Sequence, residues 1–162
     1  MKKFAKRILN LDTKRLCILI FVIALIPRFS WFLVKGRHLD ITVPAGGDSI
    51  QYDLLAQNLL KYRQLAFEPG KPTAHREPLY PYFLTGVYVL FGHSYDAVRI
   101  VQVIISWLTC IIVFLLALRL FDKNVALLAG IISCFYPYLI YYSTTILRET
   151  LSAFLLISTV YF

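Results

Sequence analysis

The chain has 162 residues, 59% of them apolar and only 16% charged, with a mean hydropathy of +0.67 and a net charge of +8. A soluble domain carries about a quarter charged residues and alternates apolar with polar positions, whereas here the apolar residues run in long blocks with the charges between them. That excludes a soluble globular enzyme, a disordered segment and a nucleic-acid module: the basic residues sit where membrane topology places them, not on one face of a domain, and the chain is expected to be an all-α polytopic membrane protein.

A hydrocarbon core about 30 Å thick takes about 20 apolar helical residues. Residues 16–34 supply the first span, preceded by Lys2, Lys3, Lys6, Arg7, Lys14 and Arg15. Pro27, Arg28, Trp31 and Phe32 stand where a signal peptide needs small residues for cleavage, so the span is read as uncleaved, with a cytoplasmic N-terminus. Arg28 lies in its outer half. An Arg at mid-bilayer costs about 3 kcal/mol, so this one should snorkel outward or face protein and water.

Residues 35–96 then form one exoplasmic loop, with all three histidines and six of the nine acidic residues: Asp40, Asp48, Asp53, Glu68, Glu77 and Asp96. Gly46-Gly47-Asp48 reads as a turn into a helix of about residues 49–61, with Tyr52, Leu55, Ala56 and Leu59 on one face. Asp48, with Gln51 three residues later, makes a capping box; the same carboxylate at a loop–helix junction can also face a cleft. Asp53 points about 140° away from Asp48 on that helix and is read as a solvated face residue. His75-Arg76-Glu77-Pro78-Leu79-Tyr80-Pro81 is the densest polar cluster, kept extended by its two prolines. Arg76 at headgroup depth can hold a phosphate bidentately, or serve as an ordinary anchor against bulk lipid. Residues 79–92 are too short to cross and are read as a second interfacial helix, with Tyr80, Tyr82 and Tyr88 in the headgroup layer.

Two further spans follow at about residues 97–118 and 125–145, joined by a tight turn carrying Arg119 and Lys123. That short basic loop should be cytoplasmic, which needs an even number of crossings before it; residues 16–34 and 97–118 make two. Arg148-Glu149, an adjacent ion pair with Glu149 suited to a helix N-terminus, opens a last apolar run. Residues 149–162 are the start of a fourth helix, and the chain looks like the front portion of a longer protein. Cys17, Cys110 and Cys134 fall inside apolar blocks and read as small apolar residues. By this topology Arg28, Asp48, Arg76 and Glu149 all converge on the outer side.

The order of these features resembles the N-terminal part of a GT-C glycosyltransferase of the protein O-mannosyltransferase and aminoarabinose-transferase type. The resemblance rests on Arg28 late in the first span, Asp48-x-x-x-Tyr52-x-x-Leu55-Ala56, Arg76-Glu77-Pro78-Leu79-Tyr80-Pro81, Phe91-Gly92-His93-Ser94, Ala97-Val98-Arg99, the Arg119-Leu-Phe turn and Glu149. It implies GT-C-like N-terminal transmembrane helices and an exoplasmic loop carrying juxtamembrane helices. It further implies transfer of a sugar from a polyprenyl-phosphate donor to a lipid, protein or glycan acceptor, at a plasma (inner) membrane. Asp48 then holds the catalytic acidic position, Arg76 binds the carrier phosphate, and Glu149 is the second acidic position of the cleft. Arg28, Tyr52, His75, Tyr80 and Arg148 complete the expected substrate-binding set. Glu77 is a departure, since many relatives have two prolines after the basic residue. Membrane lipids are expected partners and nucleic acid is not. No cofactor is expected, and the need for a divalent metal stays open. A non-enzymatic small multi-span scaffold or subunit is the competing reading, and a transporter a weaker third, since no span contains the ionisable residues that usually mark a conduction path.

Overall fold

The computed structural model describes residues 12–39 and 47–162. Lys2, Lys3, Lys6 and Arg7, and the loop residues Asp40 and Gly46, lie outside the described residues. Within them the chain forms seven α-helices and one two-stranded hairpin.

Helix α1 (Thr13–Val34) starts at Asp12, whose carboxylate accepts the Arg15 N–H at 2.8 Å. Every fourth residue, Leu16, Ile20, Ala24, Arg28 and Phe32, is buried. The opposite face carries Ile18, Val22, Ile26, Phe29 and Leu33, all exposed. A helix that is apolar on both faces suits lipid rather than water. α1 and α4 (Tyr95–Leu120) are the two described helices long and apolar enough to cross a membrane. α4 is the central element and packs on α1, α5 (Lys123–Phe135) and α7 (Glu149–Tyr161). Between α4 and α5 the chain turns tightly because Asp122 caps the new helix, accepting from the Asn124 and Val125 N–H groups at 2.7 and 3.0 Å. α5 sits close against α1 and α4 because residue 130 is glycine. A Cβ there would lie 2.7 Å from Ile20 Cδ1 and 3.2 Å from Phe114 Cβ.

The stretch 125–145 is not one continuous helix. α5 ends at Phe135, Tyr136 is extended (φ −66°, ψ 116°), and a six-residue α6 (Pro137–Tyr142) follows. Proline disfavours helix for the residue before it and has no N–H for the carbonyl four residues back. Hydropathy reads straight through such a break. Residues 143–147 form a buried turn, and α7 begins at Glu149.

α2 (Asp48–Tyr62) and α3 (Leu79–Phe91) pack on each other at one end of the bundle, joined by the antiparallel strands β1 (Ala66–Glu68) and β2 (Lys71–Pro72). The Asn58 amide donates to the Ala66 and Phe67 carbonyls at 2.7 and 3.1 Å, which ties the hairpin to α2. Tyr80 and Tyr88 do not face outward; they are buried between α2, α3 and α4, and of the three α3 tyrosines Tyr82 alone is exposed.

Asp53, read from the helical wheel as solvated, is instead 6% exposed. One carboxylate oxygen accepts from the Tyr88 hydroxyl at 2.6 Å and meets His93 Nε2 at 2.9 Å; the other accepts from the Tyr95 hydroxyl at 2.8 Å and the Gln57 amide at 2.9 Å. Burial, and then the hydrogen bond to Asp53, push the Tyr88 hydroxyl above its ordinary value, so it stays protonated and donates. Asp53→Ala strips the acceptor from two hydroxyls, an amide and an imidazole. Since buried polar groups left unpaired cost about 1–3 kcal/mol each and act together, the variant is expected to lose about 3 kcal/mol. A clear fall in the thermal midpoint of the detergent-solubilised protein checks this, and an unchanged midpoint would show that the knot holds nothing.

Candidate functional site

The polar cluster that follows β2 meets the start of α2. Gly47, in left-handed conformation (φ 98°), turns the chain into α2 and is its N-cap residue, so Asp48 occupies the first helical position. The capping box does not form as read. Asp48 and Gln51 both turn toward Arg76: its Nε donates to Gln51 Oε1 at 2.8 Å, Nη1 to Asp48 Oδ2 at 3.4 Å, and Nη2 to Asp48 Oδ1 in a close ion pair. The guanidinium also lies 5.5 Å from the centre of the Tyr52 ring, a cation–π approach. Sequence alone cannot separate the two patterns, because a cap and a side-chain clamp both want Asp and Gln three residues apart.

Glu77, noticed only as a departure, is the second hub. It accepts from the Tyr52 hydroxyl at 3.1 Å and forms an ion pair with Arg148. Arg148 therefore pairs across the fold with Glu77. What brings it there is α4. Gln102 donates to the Thr145 carbonyl at 2.5 Å, and Arg99 Nε to the Thr144 carbonyl at 3.1 Å, so two α4 side chains hold the turn that delivers Arg148 and Glu149. Gln102 also accepts from the Tyr80 hydroxyl, and Tyr80 packs edge-on against Tyr52 at 5.0 Å. Burial first, with the Glu149 carboxylate adding to it, pushes the Tyr80 hydroxyl well above the usual tyrosine range. It remains a donor. Gln51, Glu77 and Gln102 were missed as site residues; a polar side chain inside the apolar block 97–118 was the available signal for Gln102.

The structure thus brings Asp48, Tyr52, Arg76, Tyr80, Arg148 and Glu149 to one end of the bundle. His75 is exposed beside them, its ring edge-on to Phe67 at 6.0 Å, and with Leu65, Thr73, Arg76, Glu77 and Pro78 it lines an open recess of 270 Å³. Arg28 takes no part. It is fully buried and its N–H groups are turned to protein: Nε to Ser106 Oγ (2.9 Å), Nη1 to the Ala24 and Cys134 carbonyls (3.1 and 3.0 Å), Nη2 to Cys110 Sγ (3.0 Å) and the Ser133 carbonyl (3.3 Å). It neither snorkels nor presents a donor to a ligand; it pins α1, α4 and α5. The i+4 stripe through Leu16, Ile20 and Ala24 was the signal for that. Among the described residues no group of three or more His, Cys, Asp or Glu side chains converges as a metal site would.

Two guanidiniums paired with two carboxylates thus lie together at one end of an apolar bundle. The family model described as dolichyl-phosphate-mannose-protein mannosyltransferase matches residues 71–162. That is more than half of the chain, and the chain belongs to this family of GT-C glycosyltransferases. It is a membrane-associated glycosyltransferase of the mannosyltransferase type. The match takes in Arg76, Glu77, Tyr80, Arg148 and Glu149, and begins after Asp48. No curated protein and no solved structure gives a match.

Proposed function

We propose that the chain transfers a sugar from a polyprenyl-phosphate donor to a lipid, protein or glycan acceptor at the exoplasmic face of a plasma (inner) membrane, with its N-terminus cytoplasmic. The observation that carries this reading is the Arg76 clamp: one guanidinium gripped by Asp48 and Gln51, beside a second guanidinium on Glu77. Such a fork matches a phosphate. Asp48 takes the proton of the acceptor hydroxyl as its oxygen bonds to the anomeric carbon. The bond from that carbon to the phosphate oxygen breaks, its electron pair leaves with the phosphate, and Arg76 and Arg148 stabilise the anion formed. Tyr52 holds Glu77, and Glu149 lines the cleft from α7. A recess of 440 Å³ walled by Trp31, Phe135, Pro137, Tyr138, Ile140 and Tyr141 is almost wholly apolar and has room for isoprene units. Trp31 Nε1 donates to Thr144 Oγ1 at 3.1 Å, which puts that recess next to the turn before Arg148.

The test is a donor comparison with the full chain in proteoliposomes. Labelled mannose should move from a polyprenyl-phosphate carrier and not from a soluble nucleotide sugar. Transfer from the nucleotide sugar alone would overturn the reading.

A further inference from the structure

We propose that donor capture works by an exchange of partners on Arg76: the phosphate of the polyprenyl-phosphate donor takes over the guanidinium edge that Asp48 holds, and the carboxylate so released turns to the acceptor hydroxyl. The inference rests on the phosphate-binding role given to Arg76 above. Nη1 and Nη2 of Arg76 both address the two oxygens of Asp48, while Nε is taken by Gln51. That Nη1–Nη2 edge is the one a phosphate grips with two parallel bonds, and two anions cannot grip it together.

Which partner yields follows from the surroundings. The Arg76 side chain is 20% exposed and the Asp48 side chain 43%. Arg76 is also held by two contacts that carry no charge of their own, the Gln51 carbonyl oxygen and the face of Tyr52. When an anion arrives, the guanidinium keeps its seat on these and Asp48 swings away. The base is therefore withheld until the donor is in place, and acceptor activation follows donor binding.

The experiment is calorimetric titration of the full chain in detergent micelles with citronellyl phosphate, a short isoprenoid phosphate. If Asp48 competes for Arg76, removing its charge must tighten binding. A half-screened bidentate ion pair is worth a factor of about ten, so Asp48→Asn is expected to lower Kd about tenfold. Asp48→Ser, suited to the first turn of a helix, is expected to do the same and covers the chance that the amide variant folds poorly. Arg76→Ala is expected to raise Kd at least tenfold, and citronellol, which has no phosphate, is expected to ignore the Asp48 substitutions. If Arg76→Ala weakens binding but neither Asp48 variant tightens it, the exchange is wrong and the phosphate role of Arg76 stands. Equal tightening of citronellol also overturns the exchange, since the gain would not come from the phosphate. If Arg76→Ala leaves Kd unchanged, the phosphate role itself falls, and the exchange with it.

Discussion

Asp48→Asn is expected to lower the kcat of sugar transfer by about a thousandfold, in the middle of the range of 10²–10⁴ that general acid–base groups contribute. The substitution keeps shape and volume and removes the negative charge and the proton acceptor together. It spares the helix, because α2 is entered through the left-handed Gly47 and Asp48 makes no capping bond. It also leaves Gln51 and the Tyr52 ring on Arg76, so the guanidinium keeps two of its three holds. The check is single-turnover transfer of labelled sugar from a lipid-phosphate donor, with elution profile and thermal midpoint followed in parallel. A kcat within tenfold of the parent chain, in protein that elutes and melts like the parent, would remove Asp48 from the chemistry.

Arg28→Ala is the second large effect, and its target is stability. Pro137 has no N–H to give the Ser133 carbonyl, and Cys134 sits in the last turn of α5, where carbonyls lack helical partners. Arg28 supplies both from a neighbouring helix, at 3.3 and 3.0 Å, and its positive charge lies at the negative end of the α5 dipole. It also fixes Ser106, whose hydroxyl donates to the Leu139 carbonyl at 2.9 Å, on the α6 side of the same break. Truncation leaves a cavity and exposes these acceptors to an apolar surround. Removing one member of a buried polar set costs about 3–5 kcal/mol, so a fall in thermal midpoint and a loss of monodisperse protein are expected. Arg28→Lys should recover part of the loss, since an ammonium can serve up to three of the acceptors. Pro137→Ala in the Arg28→Ala background tests the mechanism, because the new N–H can reach the Ser133 carbonyl. If that double substitution is no more stable than Arg28→Ala alone, the explanation through the orphaned carbonyl is wrong.

What the sequence made legible follows the range of the interactions that decide each feature. Apolar blocks and local caps are set within a few residues, so α1 and α4, and the Asp122-capped turn before α5, could be read directly. The break at Tyr136 was legible in principle, since Pro137 stands in plain view, but an apolar stretch of the right length outweighed it. Asp53 could not be placed from its own helix: its partners Tyr88, His93 and Tyr95 lie 35, 40 and 42 residues away, and only the packing of α3 and the start of α4 decides which side of α2 is covered. Tyr80 and Tyr88 were assigned to headgroups for the same reason. At the site, the family motif pointed to Asp48, Arg76 and Glu149. It did not reveal that Gln51 and Glu77 hold the two guanidiniums, because that pairing depends on Glu77 reaching both α2 and the residue before α7.

α2 and α3 are lashed at two places: the Asp53 knot at one, and Tyr52 against Tyr80 at the other. The pair is thereby a stiff plank, bolted at its Asp53 end to the first turn of α4 through Tyr95. Tyr80 on Gln102 and Glu77 on Arg148 tie it again farther along, so α4 and the turn before α7 together fix where Asp48 and Arg76 stand. The pitch of the plank, and with it the seat of the clamp, is thus set from α4, a helix that carries none of the clamp's own side chains.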